Sequence, residues 1–274
     1  MTIDYAQVAI QRDDFTKNND MFDRLLARDD IAVVALLENK RTGSRLIVAN
    51  THLFWNPMFR DVKLIQAGIL IDSLNGIAQW FAQLPPPQHP LTNGDASSEA
   101  KQQRPPPPTY SDPKDIPLIV SGDFNSIHDS GVYSFISDGK VPSTHPDFME
   151  YEYGKFIADG LRHDFGLRSV YADASEVPIT NHVPHFKEAI DYIFHNTSAL
   201  SVNKVLGEVD PDYLSKVVGL PNAHFPSEWV NFVAIFNCCL PSVAYIVTSV
   251  SQPSSVSRRD QPVNRTHFLR HHRR

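Results

Sequence analysis

Short apolar runs alternate with longer amphipathic stretches along this chain, and three of the runs end at or enclose polar residues. Ile116-Pro117-Leu118-Ile119-Val120-Ser121 reads as a buried strand and stops in Gly122-Asp123-Phe124-Asn125-Ser126. Leu46-Ile47-Val48-Ala49 leads into Asn50-Thr51-His52-Leu53, and Ala189-Ile190 and Tyr192-Ile193-Phe194 flank Asp191. Before these, Asp20 to Ala27 reads as a short amphipathic helix. Ile31 to Glu38 and Arg45 to Leu53 read as a hairpin about Asn39 to Ser44, with Gly43 suited to a positive φ. Val62 to Ala82 places Val62, Ile65, Ile69, Leu70, Leu74, Ile77 and Phe81 at the spacing of a helix that covers a sheet. Val230 to Phe236 alternates like a further strand.

The pattern lapses twice. From Leu84 to Asp115, Pro85-Pro86-Pro87 and Pro105-Pro106-Pro107-Pro108 bracket small and polar residues that cannot bury enough surface to fold. A disordered surface insertion at 84–115 is expected, inside a domain covering 1–236. Polyproline is also an SH3 or WW ligand, but a tolerated loop is the simpler reading. Residues 237–274 are expected as a separate, poorly ordered tail. Val230 to Val250 is apolar, yet Asn231, Asn237 and Pro241 interrupt it, which argues against a membrane span. The terminal Arg270-His271-His272-Arg273-Arg274 reads as a solvated basic end.

Composition narrows the function classes. The 274 residues suffice for one sizeable core. With 25 Lys and Arg against 31 Asp and Glu, the net charge of -6 argues against a protein that coats nucleic acid. It leaves room for an enzyme that grips a few nucleotides around a metal. The two cysteines, Cys238 and Cys239, are adjacent, so no disulfide framework is expected and a reducing compartment is. Met1 to Tyr5 carries neither a basic nor an apolar leader segment, so no signal peptide is expected.

The candidate chemistry lies where the apolar runs end. Asp123 offers hard oxygen to Mg²⁺. Asn125, two residues on, falls on the same side of an extended chain. Gly122 lets the backbone approach a ligand closely. A carboxylate inside a buried strand is costly unless paired or metal-bound, so Asp191 requires a partner.

Three strands that deliver Asn50 and His52, then Asp123 and Asn125, then Asp191 resemble the endonuclease/exonuclease/phosphatase superfamily of metal-dependent phosphoesterases. Asn50 to Pro57 with Asp61 to Gln66, Asp129 to Tyr133, His145 to Asp147 and Phe186 to Tyr192 narrow the resemblance. From about Tyr5 to Ser227 the chain is similar to the carbon-catabolite-repression poly(A) deadenylases of the Ccr-Not complex. That resemblance implies a four-layered α/β sandwich, two sheets face to face with helices outside. The pattern alone supports only α/β or α+β. It also implies a Mg²⁺-dependent 3′→5′ exoribonuclease, with Mn²⁺ able to substitute, that shortens poly(A) RNA and releases AMP. Ccr-Not subunits are the implied partners, cytoplasm and nucleus the location, with no membrane. Residue by residue, Asp123 would be general base or metal partner, and Asn125 would orient the phosphate. His52 would stabilise the transition state at a phosphate oxygen. Asp191 would orient a histidine or bind a second metal. Phe186 would stack on adenine, with Asn50, Asn56 and Pro57 around the substrate. Phe54 and Trp55 read as core at least as well as stacking surface.

The chain also departs from that family. Asn56 stands where the family often has aspartate. The family's Gln-Glu-Val strand, whose glutamate is the principal metal ligand, has no counterpart upstream of Tyr5, and Glu38 lacks the motif. Its closing Ser-Asp-His is replaced by Ser227-Glu228-Trp229. The expectation is a fragment, its tail from an alternative exon, that is a poor nuclease. The alternatives are an impaired chain that keeps RNA or partner binding, and a phosphatase or sphingomyelinase-type relative.

Overall fold

The computed structural model describes residues 1–85, 106–172, 179–220 and 222–224, together with the backbone of 232–238 and 244–249. Strand β1 (Thr2–Asp4) leads into α1 (Tyr5–Gln11), capped by the Asp4 side chain, and a π-helical stretch follows at Met21–Leu26. Strands β2 (Ile31–Glu38) and β3 (Arg45–His52) form the expected hairpin, with Gly43 at φ 71°. Helix α2 (Arg60–Gln83) then crosses to β4 (Leu118–Asp123), which lies parallel to β3. After α3 (Gly131–Asp138) come the short strands β5 (Lys140–Val141), β6 (Leu161–Arg162) and β7 (Leu167–Ser169). The hairpin of β8 (Asn181–Val183) and β9 (Phe186–Glu188) precedes β10 (Asp191–Asn196) and β11 (Leu200–Val205). A short α4 (Pro211–Leu214) and strands β12 (Phe232–Cys238) and β13 (Ala244–Ser249) complete the described chain.

Two larger sheets result, a six-stranded one ordered β1-β2-β3-β4-β10-β7 and a three-stranded one ordered β11-β12-β13, beside the two-stranded pairs β5-β6 and β8-β9. Because successive side chains on a strand point to opposite faces, each central strand feeds two cores. Ile47, Ala49, Leu118, Val120 and Phe194 meet the buried side of α2, including Leu64, Ile65 and Leu70. Their neighbours Leu46, Val48, Ile119 and Ile193 meet Val170, Tyr171 and Leu200 on the side of the second sheet. This is a mixed α/β architecture, with helices on one face of the six-stranded sheet and the second sheet on the side of the other.

Helix α2 is pinned at both ends by charges the apolar pattern did not explain. Asp61 is fully buried and accepts from Arg24 at 2.7 and 2.6 Å and from Tyr153 Oη at 2.6 Å. At the other end the buried Arg45 donates to the carbonyls of Phe81, Ala82 and Leu84, satisfying groups a helix C-terminus leaves open.

Two expected boundaries move. Residues 86–105 of the expected insertion lie outside the described residues, but its return leg is built into the fold. Tyr110 packs against the helix-side core and its hydroxyl accepts the Arg45 backbone N–H at 2.8 Å. Pro107 lies against Gly43 at the hairpin turn, and Asp112 and Asp115 form a capping box. An aromatic ring and a capped turn give 106–115 the burial and bonding that the proline-rich part lacks. At the other end, the backbones of 237–238 and 244–249 are strands paired in the second sheet rather than a separate tail. Residues 251–274 and the Ser227-Glu228-Trp229 replacement lie outside the described residues. Among the described residues, no helix is long and apolar enough to cross a membrane.

Candidate active site

The site grows out of strand register. His52 on β3 is the Cα partner of Asp123 on β4, and Asp123 is the partner of Asp191 on β10. One row across three adjacent strands therefore carries a histidine and two carboxylates on the same face. That face is the one Val48, Ile119 and Ile193 bury against the second sheet. Its stripe stays apolar while covered and turns polar where the strands reach their ends. One step deeper, Asn50 donates to Ser121 Oγ at 3.2 Å. His52 Nε2 stands 3.4 Å from Asp123 Oδ2. Burial holds the imidazole below its ordinary value, favouring its neutral form.

Gly122 makes this row possible. At φ 144° its missing Cβ would stand 1.9 Å from the Thr51 carbonyl oxygen. The glycine lets β4 come close to β3. Strand alternation does not bring Asn125 to Asp123. Asn125 leaves the strand at φ 46°, and its backbone N–H folds back onto Asp123 Oδ1 at 2.7 Å. Its Nδ2 donates to Leu53 O at 2.9 Å, and its carbonyl accepts from Lys63 Nζ at 2.7 Å. The asparagine is thereby fixed at the mouth of the site by bonds from both neighbouring segments.

The partner that Asp191 requires is Thr180. Its hydroxyl donates to Asp191 Oδ2 at 2.7 Å and accepts the N–H groups of Ile190 and Asp191 at 3.0 and 3.1 Å. Even so, burial and the charge of Asp123 push the Asp191 carboxyl well above the ordinary carboxylate range, against that hydrogen bond. Two buried carboxylates side by side resist joint ionisation. A hard divalent cation relieves that repulsion, and one or two carboxylates completed by water and substrate oxygens are the set Mg²⁺ commonly takes. The residues present fit such an ion. Among the described residues, no group of three or more His, Cys, Asp or Glu stands together to hold a metal by itself. Glu38 does not contribute: it pairs with Arg45 at 3.1 Å, at the end of β2 and β3 remote from His52.

Beside the row opens a cavity of about 590 Å³ whose lining includes Trp55, Pro57, Arg60, Lys63, Asn125, Asp147, Asn181 and Phe186. Trp55 is 63% and Phe186 37% exposed, so both offer ring surface. Phe54 is buried instead, with the Arg28 guanidinium 4.4 Å over its ring and Phe59 edge-on. Asn56 spends its side-chain oxygen on the Met58 N–H at 2.9 Å and does not line the cavity. Of the eight residues singled out from the sequence, His52, Asp123 and Asp191 share the row and Asn50 lies next to it. Asn125 bridges row and cavity, Pro57 and Phe186 line the cavity, and Asn56 shapes the loop.

Sequence reading missed Lys63, Arg60, Asp147, Thr180 and Asn181. Lys63 is buried, and desolvation pushes its ammonium down to about 8 although Asp147 and Asp123 attract it. Arg60 pairs with Asp147 at 3.0 Å, and Asp147 also accepts the Gly131 N–H at 2.7 Å at the start of α3. A signal was present. Residues 61 to 71 form a run with no exposed side, so any charge within it must meet a partner.

Comparison with known proteins identifies the family. The endonuclease/exonuclease/phosphatase family model matches residues 15–229. The CCR4-Not complex 3′-5′-exoribonuclease subunit Ccr4 of Mycosarcoma maydis is 47% identical over 235 residues, covering 86% of this chain and 34% of that protein. The corresponding subunit of Schizosaccharomyces pombe is 43% identical over 237 residues, covering 86% and 33%. The chain thus spans about a third of the length of these curated relatives. Among solved structures, ANGEL2, a 2′,3′-cyclic phosphatase, superposes with a TM-score of 0.55 at 24% identity, covering 86% of this chain and 65% of that one. That likeness concerns the fold. The extent of the family match and the identity to the Ccr4 subunits place the chain within a known group: it belongs to the endonuclease/exonuclease/phosphatase family.

Proposed function

We propose that this chain is the catalytic part of a Mg²⁺-dependent 3′→5′ exoribonuclease that removes adenosines from poly(A) RNA as AMP, within a Ccr-Not-type complex of cytoplasm and nucleus. The single observation that carries the reading is the in-register row of His52, Asp123 and Asp191 opening beside a cavity with aromatic walls. The relatives named above are exoribonuclease subunits of that complex, which supports the same reading.

Asp123 and Asp191 would hold the ion, with Mn²⁺ able to replace Mg²⁺. When bound, such an ion neutralises the phosphodiester and lowers the pKa of an attacking water. The remaining work falls to the chain. The Asn125 N–H fixes one oxygen of Asp123 and so sets the direction of the other. His52, its neutral form favoured by burial, would offer an N–H to a phosphate oxygen where charge develops. Phe186, with Pro57 and Trp55, would hold an adenine by stacking. Arg60, half exposed on the cavity wall, would add positive charge that draws the phosphate into an otherwise acidic molecule.

Incubating the purified chain with labelled poly(A) and Mg²⁺, beside Asp123→Ala, tests this. AMP released by the wild type and lost in the variant supports it; release that survives the substitution overturns it. A second reading, a chain that binds poly(A) but hydrolyses it poorly, is favoured because, among the described residues, no group of three or more metal-ligating side chains stands together. Tight binding without AMP release would select that reading.

A further inference from the structure

Nothing in the proposed chemistry explains why a lysine is buried under the site. Lys63 sits in the first turn of α2, is 5% exposed, and donates to the Asn125 carbonyl at 2.7 Å. It does not form the obvious ion pair, since Asp147 is taken by Arg60 and the Gly131 N–H. Asn125 itself is in the left-handed region at φ 46°, which a side chain disfavours unless its surroundings hold it. From that conformation its N–H reaches Asp123.

We infer that Lys63 is a positioning residue: by holding the Asn125 carbonyl it keeps the left-handed turn that orients the Asp123 carboxylate. The inference deepens the proposed function and rests on Asp123 being a site carboxylate. Burial depresses the lysine's pKa, as expected for an amine kept from water for the sake of one carbonyl.

The test uses the full 274-residue chain, labelled with ¹⁵N-asparagine, as wild type, Lys63→Arg and Lys63→Met. In Lys63→Met the Asn125 amide is expected to exchange with solvent at least about tenfold faster. kcat on poly(A) is expected to fall roughly 10–100-fold, the usual range for a supporting contact, with KM little changed. Lys63→Arg, which keeps a donor at the carbonyl, should recover most of both. Unchanged exchange in Lys63→Met, or Arg and Met behaving alike, overturns the inference. A rise in KM with kcat intact also overturns it, because Lys63 would then be touching substrate. Should the wild type prove inactive, the functional reading fails, while amide exchange still decides the role of Lys63. Should Lys63→Met fail to fold, Asn125→Gly supplies the check, since glycine adopts this φ unaided. Lys63→Met should then fold in the Asn125→Gly background; a double variant that also fails to fold overturns the inference.

Discussion

The two faces of the six-stranded sheet are made of alternate residues of the same strands, yet they are used differently. Toward the helices, Ile47 and Ala49 on β3 and Leu118 and Val120 on β4 are apolar, Leu53 and Phe124 continue the stripe past the strand ends, and the polar exceptions Arg45 and Thr51 are buried. Toward the second sheet, Leu46 and Val48 give way to Asn50 and His52, and Ile119 gives way to Ser121 and Asp123. The helix-covered face is closed to solvent, so its polar residues are satisfied inside the protein: Thr51 shares a hydrogen bond with Tyr5 Oη, and Arg45 donates to carbonyls at the end of α2. The other face is covered only in part, and at the strand ends polar groups meet one another and a cavity. Stability is concentrated on one face and chemistry at the margin of the other, a division that a single sheet supports because its side chains alternate.

The sharpest way to test this division is Asp123→Ala. Hydrolysis of poly(A) with Mg²⁺ should fall by roughly 10³ or more, while the melting temperature holds or rises because Asp191 loses a repelling neighbour. Melting curves and AMP release on the same preparation would show it, and a large loss of stability would contradict the division.

On the helix side, Leu70→Ala removes a fully buried side chain and should lower the unfolding free energy by about 2–5 kcal/mol in a denaturant titration. Activity per folded molecule should be unaffected. A drop in kcat in step with stability would mean that the two faces are coupled.

Phe186→Ala tests the cavity wall. Base stacking on an aromatic ring contributes about 1–3 kcal/mol, so the loss should appear in KM for poly(A) with the unfolding transition unmoved. The smallest effect is expected at Tyr110→Phe. It removes the acceptor for the Arg45 N–H and should destabilise by about 1 kcal/mol, confirming that residues near 110 belong to the helix-covered side. An equal effect on activity would place Tyr110 in the site instead.

Much of this was legible in the chain. The β2–β3 hairpin, the long helix and the strand at Leu118 follow from apolar spacing and a glycine turn, which are local. The candidates at 52, 123 and 191 were legible because a polar residue in an apolar run is improbable without a purpose. One misreading has a clear cause. Asn125 was placed beside Asp123 by the alternation of an extended chain, whereas its left-handed conformation is held by Leu53 and Lys63, both distant in sequence. Asn56 was assigned to the substrate by its place in a motif, but its side chain completes a turn with Met58.

By itself, the sequence determined where strands and helices run and which positions had to be explained by something other than packing, because burial acts on each residue through its own transfer from water. Only the tertiary structure decided that His52, Asp123 and Asp191 stand in one row, that Thr180 is the partner of Asp191, and that a lysine on α2 holds Asn125. Those facts depend on register and on which helix lies over which strand end. Register is fixed by the sheet as a whole, since a one-residue slip would turn every one of these side chains to the opposite face.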